Sequence, residues 1–329
     1  MQADARWMAA ALALAERGRG RTAPNPNVGC IIVNAGRIVG RGWTQPGGRP
    51  HAEAMALAAA GDAARGATCY VTLEPCAHAS SRGPACADSL ITAGIARLVA
   101  GLRDPDPRTD GLGAERLRGA GVEVAMGIAE AAARRSMAGF ITRRTNGRPF
   151  VTLKLAQSLD GAVAMASGSS KWITGPEARA HAHLERARHE AILVGRGTWQ
   201  ADAPLLDVRL AGLGARSPRR ILLSRSEGPD GWETVATPGD IAMLADTDHL
   251  LVEGGVQTAA AFLSADLVDR LLLYRAPILV GGGLTLPGIG LADLTAAHGR
   301  WRLHDSRMLG SDQLQVYERD DRQRDREPV

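Results

Sequence analysis

His51-Ala52-Glu53, followed along the chain by Glu74-Pro75-Cys76 and then by Cys86, is the stretch on which the fold and the chemistry turn. One imidazole and two thiolates are good ligands for Zn²⁺, and three protein ligands leave a fourth tetrahedral position open to water. Water bound there ionises near neutral pH and becomes a strong nucleophile. Glu53 lies too close behind His51 to join the same ligand set, and suits the work of a proton shuttle. The competing reading is a closed Cys/His site that only staples a loop, and in such a site Glu53 has no purpose. His78 is the rival imidazole; two residues after Cys76 it would strain the ligand geometry, so we read it as substrate-facing or solvated.

Outward from these residues the chain alternates helix and strand. Trp7, Met8, Ala11 and Leu12 recur at helical spacing within residues 3–17, and a β-branched run at 28–33 returns as a hairpin over 37–42. A helix is expected over 52–60 and a strand over 68–73. A second helix opens at Gly83-Pro84 and runs through Leu90, with Cys86 in its first turn. A strand at 95–101, a helix at 112–119, a short strand at 122–124 and a helix over 128–141 complete this half. Both parts of the donor set therefore stand at helix starts beyond strand ends, where open α/β sheets place ligands. A thiolate at such a start is favoured by the positive end of the helix.

The polar run at residues 142–148 marks a boundary, which gives a first domain over 1–146 and a second over 147–319. Residues 320–329 read as a polar, disordered tail. The second domain carries expected strands at 150–155, 191–194, 220–223, 249–252, 268–274 and 278–280. Its helices fall at 176–189 and 256–263, and an antiparallel pair joins 302–309 to 313–319. The fold class is α/β in both halves, and they share alternation but no repeated motif.

A chain of 329 residues with 45% hydrophobic and 22% charged residues suits two globular domains. Its net charge is +4, and of its 39 basic residues all but Lys154 and Lys171 are arginines scattered along the sequence. That is a mildly basic surface suited to phosphorylated small molecules. Aromatic residues make up only 4%, which argues against a nucleic-acid interface. Four cysteines, two of them metal ligands, fit a reducing compartment. The apolar run at 9–15 is too short for a signal or a membrane span, so the expectation is a cytoplasmic enzyme. The sequence leaves the oligomeric state open, a homo-oligomer included.

The pattern His51-x-Glu53 with Pro75-Cys76 and Cys86 resembles the zinc deaminase superfamily, whose Glu is general acid/base rather than ligand. The usual Pro-Cys-x-x-Cys is here stretched by residues 77–85, as in the bacterial riboflavin-pathway deaminase. Pro24-Asn25-Pro26-Asn27-Val28-Gly29-Cys30 belongs to the same resemblance and matches Asn25 to a substrate-binding Asn. In the second half, Ser158-Leu159-Asp160-Gly161 and the series Gly168-Ser169-Ser170-Lys171-Trp172-Ile173-Thr174-Gly175 resemble the dihydrofolate-reductase-like fold of the riboflavin-pathway reductase. So do Val194-Gly195-x-Gly197-Thr198, Ala201-Asp202-x-Pro204, Val208-Arg209 and Val252-Glu253-Gly254-Gly255.

Nearly the whole chain is thus similar to the bifunctional deaminase–reductase family of riboflavin biosynthesis. The resemblance implies a cytidine-deaminase-like αβα domain followed by a dihydrofolate-reductase-like α/β domain. It implies Zn²⁺ held by His51, Cys76 and Cys86, with Glu53 moving protons. It matches Ser170, Arg186, Leu206, Arg209 and Glu253 to positions that meet a phosphoribosylaminopyrimidine substrate. Ala156, Trp172, Thr198, Asp202, Ser224 and Gly255 match positions that meet NADPH. Arg186 and Arg209 suit the role of forks for phosphate. Three departures bear on the reductase half: Ala162 where the family has Lys, Ala203 where it has Asp, and a short segment between Ser224 and Glu253. The alternative is a deaminase of nucleosides or of tRNA adenosine with a non-catalytic second half, against which the reductase motifs weigh.

Overall fold

Alternation along Cys30-Ile31-Ile32-Val33 sends Cys30 and Ile32 into one core and Ile31 and Val33 into another, on opposite faces of one sheet. The computed structural model describes residues 2–79 and 83–320, and the chain divides between Gly147 and Arg148 into two compact units. The expected tail beyond Asp320 lies outside the described residues.

In the first unit α1 (Gln2–Ala15) precedes the hairpin β1 (Gly29–Asn34) and β2 (Arg37–Trp43). Then come α2 (Ala52–Ala60), β3 (Thr68–Val71), α3 (Cys86–Ala93), β4 (Arg97–Ala100), α4 (Leu112–Gly119), β5 (Glu123–Met126), α5 (Glu130–Ser136) and α6 (Ala138–Asn146). The sheet order is β2-β1-β3-β4-β5, antiparallel from β2 to β3 and parallel from β3 to β5. Met8 and Ala11 of α1 cover one face; Ala56, Leu90, Leu117 and Phe140 from later helices cover the other. This is a three-layer αβα unit.

The alanine-rich α2 lies directly on the backbone of β2. A Cβ at Gly40 would fall 2.2 Å from the Ala56 carbonyl oxygen, and one at Gly42 would fall 2.1 Å from that of Ala52. Only glycines there let the two backbones meet, and the contact fixes where the start of α2, and with it His51, stands.

Two helix boundaries differ from expectation. The helix anticipated from Gly83-Pro84 begins at Cys86, because Ala85 is extended and acts as its N-cap. The single helix anticipated over 128–141 is two, α5 and α6, parted at Met137 (φ −106°, ψ 20°), and α6 continues through the polar run to Asn146.

The second unit contains β6 (Phe150–Gln157), α7 (Pro176–Arg186), β7 (Ala191–Gly195), α8 (Arg196–Asp202), β8 (Arg219–Leu223) and β9 (Glu233–Val235). It closes with β10 (His249–Val252), α9 (Val256–Ser264), β11 (Arg270–Arg275), β12 (Trp301–Leu309) and β13 (Asp312–Arg319). The order β12-β13-β11-β6-β10-β7-β8-β9 is parallel from β11 to β9, with the antiparallel pair at the other edge. Leu193 and Val252 face one core while Ile192 and Leu251 face another, as in a parallel sheet covered on both sides.

Residues 278–280 do not form the expected strand. The Val280 and Gly281 N–H groups donate to the Asp160 carboxylate at 3.1 and 2.8 Å, and Leu159 N–H donates to the Ile278 carbonyl. Their backbone partners lie in the Ser158–Gly161 turn, not in a ladder. Among the described residues no helix is long and apolar enough to cross a membrane.

Candidate active sites

His51 is the N-cap of α2, Cys76 follows β3, and Cys86 opens α3. His51 Nδ1 lies 3.3 Å from Cys86 Sγ and 3.7 Å from Cys76 Sγ, and the Cys86 N–H donates to Cys76 Sγ at 3.3 Å. All three donor atoms fall within 4.8 Å of one another. Tetrahedral zinc with bonds of about 2.1 Å to nitrogen and about 2.3 Å to sulfur has N···S edges near ~3.6 Å. The donor set therefore fits the ion in spacing and in chemistry. His78 is not among the three; its buried Nδ1 has no hydrogen-bond partner among the described residues.

The electrostatics of the cluster favour a charged ligand. The hydrogen bond from the Cys86 thiol, aided by His51 and outweighing burial, holds Cys76 well below the ordinary thiol range. Burial pulls His51 down, but its bond to Cys76 and the nearby Glu53 and Cys76 charges leave it raised. Glu53 is 4% exposed, and burial lifts its carboxyl to about 7 against the pull of His51.

The turn that carries Cys76 is braced by Glu74, which the sequence places beside Pro75-Cys76 without giving it a role. The buried Glu74 carboxylate accepts hydrogen bonds from the N–H groups of Asp104, Gly111 and Ala114 at 3.3, 3.0 and 2.9 Å. Gly113 lies so close to the Pro75 carbonyl oxygen that a Cβ would come within 2.0 Å. Asn25 Nδ2 donates to the Gly48 carbonyl at 2.8 Å, in the loop that precedes His51.

In the second unit a cleft of about 1230 Å³ opens at the carboxyl ends of the parallel strands. Pockets for a single small ligand run to about 1,000 Å³, so this one has room for a dinucleotide beside a substrate. Ser170, Arg186, Leu206, Arg209 and Glu253 line it. So do Ala156, Trp172, Thr198, Asp202 and Gly255. Ser224 instead lines an adjoining recess. Thr198 Oγ1 accepts a hydrogen bond from the Gly255 N–H at 3.0 Å, tying the ends of β7 and β10 together, and a Cβ at Gly197 would meet nothing within 4 Å. The open backbone at strand ends fits a dinucleotide phosphate.

Arg186 grips Glu253 rather than pointing a free fork into the cleft, whereas Arg209 is 58% exposed and loosely paired with Asp207 at 3.5 Å. Asp202 is paired with Lys171 at 3.3 Å. Of the departures, Ala162 is buried, and a Cβ on Gly283 would fall 2.7 Å from its own. Ala203 caps α8 in the left-handed region (φ 39°).

The sequence reading also passed over Lys154. It lines the cleft near Glu253 and Arg186, and its ammonium pKa is lowered, chiefly by burial. A signal was available: it is one of two lysines in an arginine-rich chain, set in the otherwise apolar run Val151-Thr152-Leu153-Lys154-Leu155.

Comparison with known proteins places both halves. Residues 1–102 match the family model of the cytidine and deoxycytidylate deaminase zinc-binding region, and residues 149–244 and 241–314 match that of the RibD C-terminal domain. The riboflavin biosynthesis protein RibD of Escherichia coli is 41% identical, over 87% of this chain and 92% of that one. RibD of Aquifex aeolicus is 39% identical, over 88% and 92%. Among solved structures, a diaminohydroxyphosphoribosylaminopyrimidine deaminase/5-amino-6-(5-phosphoribosylamino)uracil reductase of Thermotoga maritima superposes with a TM-score of 0.87 at 33% identity, over 97% of this chain and 99% of that one. RibD of Acinetobacter baumannii gives 0.85 at 35% identity, with the same coverage.

A zinc-binding cytidine-deaminase-like domain followed by a dihydrofolate-reductase-like domain defines a bifunctional deaminase–reductase. The chain belongs to the RibD family of riboflavin biosynthesis. Its first activity is zinc-dependent deamination and its second NADPH-dependent reduction.

Proposed function

We propose that the first unit hydrolytically deaminates 2,5-diamino-6-(5-phosphoribosylamino)pyrimidin-4(3H)-one, and that the second reduces the ribosyl group of the product to ribityl. The observation that carries the reading is the pairing, in one chain, of a three-donor set beside the buried Glu53 with a cleft lined by ten of the eleven matched reductase residues; Ser224, the eleventh, stands next to it. His51, Cys76 and Cys86 hold zinc, which supplies the Lewis acidity that activates water near neutral pH. Glu53 passes one proton of the attacking water to the ring nitrogen and then carries the second, from the hydroxyl so formed, to the amino group, which leaves as ammonia. Asn25, tied to the loop before His51 through Gly48, orients the pyrimidine.

In the second unit NADPH supplies the hydride. Ala156, Trp172, Thr198, Asp202, Ser224 and Gly255 hold the cofactor. Ser170, Leu206, Arg209 and Glu253 meet the substrate, and Arg186 fixes the orientation of the Glu253 carboxylate that the substrate meets. The partners are small phosphorylated pyrimidines rather than nucleic acid, and the compartment is the cytoplasm.

The test is ammonia release by the purified chain from the diaminopyrimidine ribotide and from cytidine, with and without a chelator, followed by NADPH oxidation on the deaminated product. Chelator-sensitive release from the ribotide alone, then NADPH consumption, is the expected result. Equal or greater activity on cytidine would overturn it.

A further inference from the structure

The cleft of the second unit adjoins a recess of about 540 Å³ that begins at Ser224 and follows residues 225–232 to Thr234 and Ala236. Of the residues matched to cofactor or substrate, only Ser224 lies in it. Arg196 links the two spaces: it lines the cleft, and its Nη1 donates to Ser224 Oγ at 3.1 Å and to the Glu227 carbonyl at 3.3 Å. The same guanidinium lies 5.6 Å from the Trp199 ring centroid. Held in this way, it has Nε and Nη2 donors that make no hydrogen bond among the described residues. Arg225, the next residue after Ser224, is exposed and has neither ion pair nor hydrogen bond among them. Glu227 and Asp230 also line the recess, so it is not a general anion trap, and the one basic residue in its lining, Arg225, stands at the Ser224 end.

The sheet order says which part of a dinucleotide reaches that end. Ala156 ends β6, Gly255 follows β10, Thr198 follows β7 and Ser224 follows β8, and these strands are consecutive neighbours in the sheet. Four of the six matched cofactor residues thus form a row across three strand spacings, about 14 Å. Lys154 and the substrate-matched Glu253 stand at the β6–β10 end, which favours the nicotinamide there and the adenosine at β8. Dinucleotide folds that prefer NAD place a carboxylate against the adenosine ribose hydroxyls, whereas those that take NADP place an Arg nearby. Here the residue after β8 is Ser224, and arginines flank it.

We propose that Arg196, assisted by Arg225, binds the 2′-phosphate of the cofactor's adenosine ribose and so sets the preference for NADPH over NADH. The inference rests on the NADPH-dependent reading of the second unit and adds its specificity determinant. A guanidinium held by Ser224 and Trp199, with two donors unengaged among the described residues, is preorganised for bidentate phosphate recognition.

The experiment is calorimetric titration of the full chain with NADPH and with NADH, which reads binding rather than turnover. Arg196→Ala should weaken NADPH by about ten- to a hundredfold, the range for a lost hydrogen-bonded charge partner, and leave NADH unchanged. Arg196→Gln, which can still donate to Ser224, should lose the same preference; Arg225→Ala should lose less, and the double variant should bind the two dinucleotides alike. Equal weakening of NADPH and NADH would show that Arg196 only shapes the Ser224 turn, and unchanged NADPH binding would remove it from the site. Either result overturns the assignment while leaving the reductase intact. Wild type that binds neither dinucleotide would overturn the cofactor reading itself.

Discussion

Arg186 and Glu253 face each other through two parallel hydrogen bonds, Nε to Oε1 at 2.8 Å and Nη2 to Oε2 at 2.9 Å, while Arg186 Nη1 donates to the Asp207 carbonyl at 3.0 Å. The two side chains are 14% and 7% exposed. Burial alone would raise the Glu253 carboxyl, but the Arg186 bonds outweigh it and the net shift is downward. Removing Arg186 leaves a buried carboxylate without its fork, at a cost of about 3–5 kcal/mol to the second unit. A lowered native pKa gives stability that is fully present above the unfolded value of about 4.3 and is lost as pH falls through the native value. Without Arg186, burial is opposed only by the charges of Lys154 and His183, so the native pKa rises and the acid-range stability that Glu253 contributes shrinks. Urea unfolding across a pH series should therefore gain less stability with rising pH in the acid range for Arg186→Ala than for wild type; parallel slopes would contradict the pair's role.

Arg209 is the freer of the two arginines matched to substrate. If it meets the ribotide phosphate, Arg209→Ala should raise the KM for the ribotide about ten- to a hundredfold and leave NADPH affinity near wild type. Lysine should recover only part of the loss, since it keeps the charge but not the planar fork. A dephosphorylated substrate separates the readings: wild type and variant should use it equally poorly. Loss of NADPH and ribotide affinity together would move Arg209 into the cofactor site.

In the first unit, ligand and proton carrier divide cleanly between neighbours. Glu53→Ala should retain stoichiometric zinc and lose deamination by a factor of about 10² or more, the range for a lost general acid/base. Cys86→Ser should lose zinc and lower the unfolding midpoint of that unit. Metal analysis alongside the ammonia assay decides it, and a Glu53→Ala protein without zinc would show that the carboxylate had been given the wrong role.

The donor set and both layered folds were legible because their signals are local: His-x-Glu at a helix start, Pro-Cys at a strand end, apolar runs bounded by glycines. What escaped the sequence depends on distance. Lys154 reads as a stray charge in a strand until β10 brings Glu253 beside it. Glu74 gains its purpose from three N–H groups at least thirty residues away. Arg186 matched a substrate position, but the residue that holds its fork, Glu253, lies 67 positions on. Residues 278–280 have strand-like composition, and only the Asp160 carboxylate, 120 residues earlier at its contact with Val280, shows why they pair otherwise.

Ala203 stands at φ 39°, a conformation that costs a residue with a Cβ about 1–2 kcal/mol. Glycine removes that strain but loosens the unfolded chain by about 0.4–1 kcal/mol. Ala203→Gly should therefore be stabilising by at most about 1.6 kcal/mol, worth up to about 3–6 °C in the Tm of a unit this size. Asn or Asp, which tolerate the left-handed region, should stabilise without that loss. A lowered Tm for all three replacements would mean that Ala203 packs in a way the backbone angle does not reveal.

We propose that the two units fold and work apart, and that the place to cut is narrow. Their cores do not mix: the clusters of the first unit end at Ile141, and those of the second begin at Val151. Gly147, at φ 70°, caps α6, and its N–H donates to the Arg143 carbonyl at 3.2 Å. Arg148 belongs to the other side, gripping Asp269 through bonds of 2.7 and 2.8 Å with side chains 12% and 6% exposed. A fragment ending at Gly147 should deaminate with the rate of the full chain. One ending at Thr142 should lose the last turns of α6 and unfold at lower temperature. A fragment starting at Arg148 should bind NADPH, while one starting at Phe150 leaves Asp269 buried without its arginine and should be less stable by about 3–5 kcal/mol. Calorimetry on the four fragments, with ammonia release and NADPH titration, checks each in turn. If neither Gly147-ended nor Arg148-started fragments fold alone, the units depend on one another and the proposed separation is wrong.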